Sequence, residues 1–118
     1  MIKRKIDNYL ADFFATDKKA LMLTGARQIG KTYSIRRFGH EHFERFIEIN
    51  FIENPGLVKV FSKAKNSQDI LLRLSTVTSQ DLIKDNTLVF FDEVQECPEI
   101  VTAIKFLVEE GSYRYILS

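Results

Sequence analysis

Cysteine is nearly absent: Cys97 is the one thiol in 118 residues. No disulfide can form within the chain, which excludes a disulfide-stapled scaffold and suits a reducing compartment. Proline and glycine are sparse, at two and five residues. No linker rich in them divides the chain, so a single domain over residues 1–118 is expected. Long apolar runs are missing, and none approaches the ~18 residues of a membrane span. The basic start, residues 1–7, runs into interrupted polarity and does not read as a signal peptide. Excess charge of one sign is lacking too, with 17 basic against 16 acidic residues and a net charge of +1. That balance argues against a nucleic-acid coat or a polybasic membrane binder. The expectation is a cytoplasmic protein with no membrane partner.

Apolar residues are plentiful. Leu, Ile, Val and Phe make 40 of the 118 residues, far above the ~20% below which chains tend to disorder. Charge is unevenly spread, at +6 over residues 1–40 and −5 over residues 79–118. Either a salt-bridged surface or an anion site beside a cation site would produce this.

Periodicity gives the order of elements. Ile6, Tyr9, Leu10, Phe13 and Phe14 make one helical stripe over about residues 2–15. Residues 20–24 form an apolar run ending at a glycine, as a buried strand would. A helix is expected over 31–38, ended by Gly39. Alternation from Phe43 to Phe51 predicts a second strand, and Asn54-Pro55-Gly56 a turn. Helical patterns recur over 57–63 and 67–75. Asp85-Asn86 turns into a dense apolar strand from Thr87 to Phe91. Pro98 can open a helix that Gly111 stops, and Tyr113 to Leu117 reads as a last strand. Strands alternating with helices predict an α/β fold with a parallel sheet. The chain ends inside that last strand, which reads as the N-terminal portion of a longer protein.

Gly25-Ala26-Arg27-Gln28-Ile29-Gly30-Lys31-Thr32 fits the phosphate-loop pattern Gly-x4-Gly-Lys-Thr. Gly25 lets the chain leave a strand sharply, and Gly30 brings backbone close to a phosphate. The N–H groups between them line a concavity, and the following helix aims its positive end there. Lys31 can reach the β- and γ-phosphates, and Thr32 offers a hydroxyl to Mg²⁺. Context supports the motif: an apolar run precedes it and helical periodicity follows.

Thr87-Leu88-Val89-Phe90-Phe91 ends in Asp92-Glu93. An Asp at the end of a buried strand beside the phosphate strand can hold Mg²⁺, and the next Glu can orient or deprotonate water. The Asp-x-x-Gly and Asn-Lys-x-Asp patterns of guanine-nucleotide proteins are missing. No basic lid suggests a small-molecule kinase, so ATP hydrolysis is the expected reaction.

These segments, with Tyr115-Ile116-Leu117-Ser118, resemble a family of bacterial and archaeal AAA-type P-loop ATPases. The Gly-Ala-Arg-Gln-x-Gly-Lys-Thr loop and Asp-Glu-Val-Gln are its more specific marks. The resemblance covers essentially this whole chain but only the front of that family's ATPase domain. Full-length members carry a nuclease-like C-terminal domain, through which alone nucleic acid would be contacted. The resemblance implies a three-layer parallel sheet of order 5-1-4-3-2 and the cofactors ATP and Mg²⁺. It implies nucleotide binding by Gly25, Ala26, Arg27, Gln28, Ile29, Gly30, Lys31, Thr32 and Tyr33. It assigns metal binding to Thr32 and Asp92, catalysis to Lys31 and Glu93, and a polar sensor to Ser118. Tyr33-Ser34 stands where the family often has Thr-Leu. Without a fifth strand, residues 20–24 become an edge that invites self-association. Hydrolysis is then expected in the full-length protein and weak or absent here. The alternative reading is a protein-interaction module with a vestigial nucleotide site.

Other residues read more plainly. His40 and His42 suit a solvated loop better than a metal site, and Cys97 a passive thiol. Arg27 could meet phosphate, a partner subunit or solvent. Gln95 could position water or bond the local loop. Lys3-Arg4-Lys5 fits the polar face of the first helix better than a nucleic-acid contact.

Overall fold

The computed structural model describes residue 10, residues 20–22 and residues 31–118. The expected helix over 2–15 (Leu10 apart), the rest of the strand at 20–24 and the loop residues Gly25 to Gly30 lie outside the described residues. The elements are β1 (Leu21–Met22), α1 (Lys31–His42), β2 (Arg45–Asn50), α2 (Pro55–Ser62), α3 (Ser67–Val77), β3 (Thr87–Asp92), a 3-10 turn (Val94–Glu96), α4 (Pro98–Glu110) and β4 (Arg114–Leu117). The strands run parallel in the order β1-β4-β3-β2. Apart from the fifth strand, this is the order that the family resemblance implied.

The side-chain alternation of β3 explains the layers. Leu88 and Phe90 point to one face, where they pack with Leu10, Leu21, Ile35, Phe38 and Ile116. Val89 and Phe91 point to the other, against Ile49, Phe61, Leu74, Ile100 and Tyr115. The first face is covered by α1, the second by α2, α3 and α4. A strand buried on both faces needs a continuous apolar run, and Thr87–Phe91 supplies it. The Phe91 ring lies between Phe51 and Tyr115, stacked on them at 6.0 and 6.4 Å, with Phe61 edge-on at 6.0 Å. Each such aromatic contributes about 1.5–3 kcal/mol by leaving water.

Helix ends follow local chemistry. The Asn66 side chain accepts from the Asp69 N–H at 2.9 Å and caps α3. Pro98 occupies the first turn of α4, and Gly111, at φ 81°, ends it. Two expectations fail. Asn54-Pro55-Gly56 is no free turn, because Pro55 opens α2, where a missing N–H costs nothing. Gly39 does not end α1, which continues to His42. A Cβ at Gly39 would stand 2.2 Å from Phe46 Cδ1, so the glycine serves close packing of α1 on β2.

Candidate functional site

In a parallel α/β sheet, the carboxyl ends of the strands form the natural crevice for a ligand. Here those ends bring Asn50, Asp92 and Ser118 into neighbouring positions. Asn50 and Asp92 are register partners across β2 and β3, and Ser118 directly follows β4. Lys31 is the first residue of α1, and its Nζ donates to Ser118 Oγ. Ser118 is itself fixed: its N–H donates to the Phe91 carbonyl at 2.9 Å, and its own carbonyl accepts from Val94 N–H at 2.9 Å. Thus Lys31, Asp92 and Ser118, far apart in sequence, share one end of the sheet.

Asp92 is half-buried. Its Oδ1 accepts from the Glu93 N–H at 2.9 Å, and its Oδ2 lies 3.5 Å from Asn50 Nδ2. Burial pushes its carboxyl pKa upward, and the charges of Glu93 and Glu48 add to this. The Glu93 N–H bond and the nearby Lys31 ammonium oppose the shift. Glu93 sits at φ 58°, a left-handed conformation that is uncommon for a non-glycine residue. Its Oε1 accepts from Gln95 Nε2 at 3.0 Å. Gln95 therefore orients the carboxylate, a bond between side chains rather than to the loop backbone.

Periodicity missed three residues. Asn50 Oδ1 accepts from the N–H groups of Ile52 and Glu53 at 2.9 and 3.0 Å, which turns its amide nitrogen toward Asp92. Arg36 donates to both oxygens of Glu48 at 2.6 and 2.8 Å, tying α1 to β2. For Glu48 and Asn50 the only sequence signal was polarity within the apolar alternation of β2, and Arg36 gave none inside its helix; only the register of β2 and the seating of α1 give them meaning.

The remaining candidates stay apart. His40 and His42 lie in the last turn of α1, not in a loop. The ring of His40 lies 5.1 Å from that of Phe46, and that of His42 4.5 Å from that of Phe38. Among the described residues no group of three His, Cys, Asp or Glu could hold a metal. Cys97 is buried at the start of α4, and burial pushes its thiol up to about 11. No described helix is long and apolar enough to cross a membrane. Arg27 and Lys3-Arg4-Lys5 lie outside the described residues.

A parallel sheet of order β1-β4-β3-β2 between two helical layers, with a lysine at the head of α1 facing the ends of β3 and β4, is the architecture of the P-loop nucleotide-binding class. Residues 17–118 match the AAA domain family, and the chain belongs to that family: it is a nucleotide-binding AAA-type domain. No curated protein matches the chain.

Proposed function

We propose that the chain binds ATP with Mg²⁺ and forms part of a hydrolytic AAA-type ATPase. The observation that carries this reading is the meeting of Lys31 with Ser118 beside Asp92. The donor set fits a hard divalent cation, which prefers carboxylate and hydroxyl oxygen. Asp92 supplies a half-buried carboxylate with few compensating charges, and Thr32 follows Lys31 with a hydroxyl. When bound, the cation neutralises phosphate charge.

The chain's own groups do the rest. Backbone N–H groups of Gly25 to Gly30 would hold phosphate oxygens, and Ala26, Arg27, Gln28, Ile29 and Tyr33 would complete the nucleotide contact. Lys31 would bridge from Ser118 to the β- and γ-phosphates. Glu93, oriented by Gln95, would hold the attacking water and accept its proton. Phosphoryl transfer depends mostly on positioning and charge stabilisation. An arginine supplied by a neighbouring subunit would therefore add orders of magnitude, and turnover by this chain alone is expected to be weak.

Titration calorimetry with Mg·ATP beside phosphate release tests this reading. Glu93→Gln should keep binding within a few-fold and lower turnover by about 10²-fold or more. Turnover unchanged in Glu93→Gln would remove Glu93 from the chemistry. Absence of binding in the unmodified chain would favour an interaction module.

A further inference from the structure

The outer edge of β2 is open at one point. Along β2 the N–H groups of Arg45 and Phe51 donate toward β3, to the carbonyls of Asn86 and Asp92. Alternation therefore turns Phe46, Glu48 and Asn50 outward. The Phe46 carbonyl accepts from Gln80 Nε2 at 3.5 Å, and the Asn50 carbonyl from the Asn54 N–H at 2.9 Å. Between these two stoppers, the Glu48 N–H and C=O have no partner among the described residues. No described strand pairs with this edge. A groove of about 280 Å³ lies alongside it, lined also by Leu57 and by the stretch from Val77 to Gln80.

An unpaired donor and acceptor on one residue of an edge strand are the complement of one antiparallel backbone pair. In antiparallel pairing one partner residue meets both groups of Glu48, whereas a parallel partner would have to supply its acceptor and its donor from the two residues flanking the one opposite. A second copy docking by its own β2 would set Glu48 against Glu48, an unfavourable like-charge pair.

The side chains define the peptide. Glu48 lies on the α1 face, bound to Arg36, and Ile47 and Ile49 point to the other face. Arg36 bonds Glu48 and is also attracted by the charge of Glu53, so acidic groups outnumber the one guanidinium at this edge. A basic residue alongside Glu48 is complementary, and its two neighbours fall beside Ile47, Ile49 and Leu57. We propose that the outer edge of β2 takes an extended segment of a partner polypeptide, of pattern apolar–basic–apolar, as an added antiparallel strand centred on Glu48. This surface is distinct from the nucleotide site at the strand ends.

The probe is a fluorescein-labelled peptide, Ser-Thr-Val-Lys-Val-Thr-Ser, titrated into the chain by anisotropy, with amide hydrogen exchange read by NMR. Saturable binding with at least 10-fold slower exchange at the Glu48 amide is expected. N-methylation of the central lysine removes its donor and should abolish binding, and Lys→Glu in the peptide should weaken it at least 10-fold. Glu48→Pro removes the outward N–H while leaving the β3 ladder intact, because proline is tolerated at such an edge position. It should abolish binding, whereas Glu48→Gln should keep binding and lose the lysine preference. Should Glu48→Pro fail to fold, the N-methylated peptide reads the same pair from the other side. No binding, equal binding of the N-methylated peptide, or an unchanged Glu48 amide overturns the proposal.

Discussion

Replacing Gly39 by alanine sets two effects of opposite sign against each other. In an exposed helix interior, Gly→Ala stabilises by about 1 kcal/mol, because alanine restricts the unfolded chain and favours the helix. At this position the new methyl would meet Phe46 Cδ1, Cε1 and Cγ at 2.2, 2.8 and 2.9 Å. Ordinary carbon contact needs about 3.5 Å, so the ring must retreat by about 1 Å. It has little room: Phe46 is 8% exposed and stands between the rings of His40 at 5.1 Å and Phe90 at 6.5 Å. Overpacking of this kind costs about 1–3 kcal/mol, and the severity of the clash places Gly39→Ala near the top of that range. After the helix gain, a net loss of about 2 kcal/mol remains, or about 8 °C in Tm for a domain of this size. Thermal unfolding followed by circular dichroism measures it. Phe46→Leu, which removes the clashing ring atoms, should make the double variant less destabilised than the sum of the singles. A Tm for Gly39→Ala at or above that of the unmodified chain would refute the argument, since it would mean Gly39 behaves as an open helix position.

Four further outcomes are expected. Asp92→Asn should raise Tm at pH 7 without Mg²⁺, because burial holds the folded carboxyl pKa above its unfolded value. The sign follows from linkage: that group favours the folded state at low pH, and its contribution is lost as pH rises through the folded pKa. A lower Tm for the variant would contradict it. Cys97 should alkylate slowly in the folded chain at pH 8, since a rise from 9.0 to about 11 leaves about 100-fold less thiolate even before access is considered; equal rates with and without denaturant would oppose this. Tyr115→Phe should not destabilise, because the buried Tyr115 hydroxyl has no partner among the described residues, and a Tm loss above that of a conservative core change would show a partner. Self-association through the β1 edge, where Met22 is 40% exposed, should appear in sedimentation as a mass that grows with concentration, and a constant monomer mass would exclude it.

Legibility in the sequence followed the range of the interaction. The run from Thr87 to Phe91 announced a strand buried on both sides, and Pro98 and Gly111 bracketed α4, because these signals act within a few residues. Lys31, Thr32, Asp92 and Glu93 were visible as motifs for the same reason. The role of Gly39 was not, since a helix-ending glycine and a glycine pressed by a ring from the next strand look identical in sequence. Pro55 was read as part of a turn because Asn-Pro-Gly fits a turn as well as a helix start. Asn50, Glu48 and Arg36 emerge only from the β2–β3 register and the seating of α1, both long-range outcomes. Strand order came from resemblance, because the apolar runs do not say which strands are neighbours.

The central claim is that Lys31 and the strand ends beside it form a working phosphate site. Thermal unfolding of the chain against rising Mg·ATP, beside Lys31→Ala, tests it most directly. A ligand bound only by the folded state adds about 2.7 kcal/mol at 100 times its Kd. The account predicts a saturable rise in Tm for the unmodified chain and none for Lys31→Ala. An unmoved transition in the unmodified chain, or an equal rise in Lys31→Ala, would contradict it.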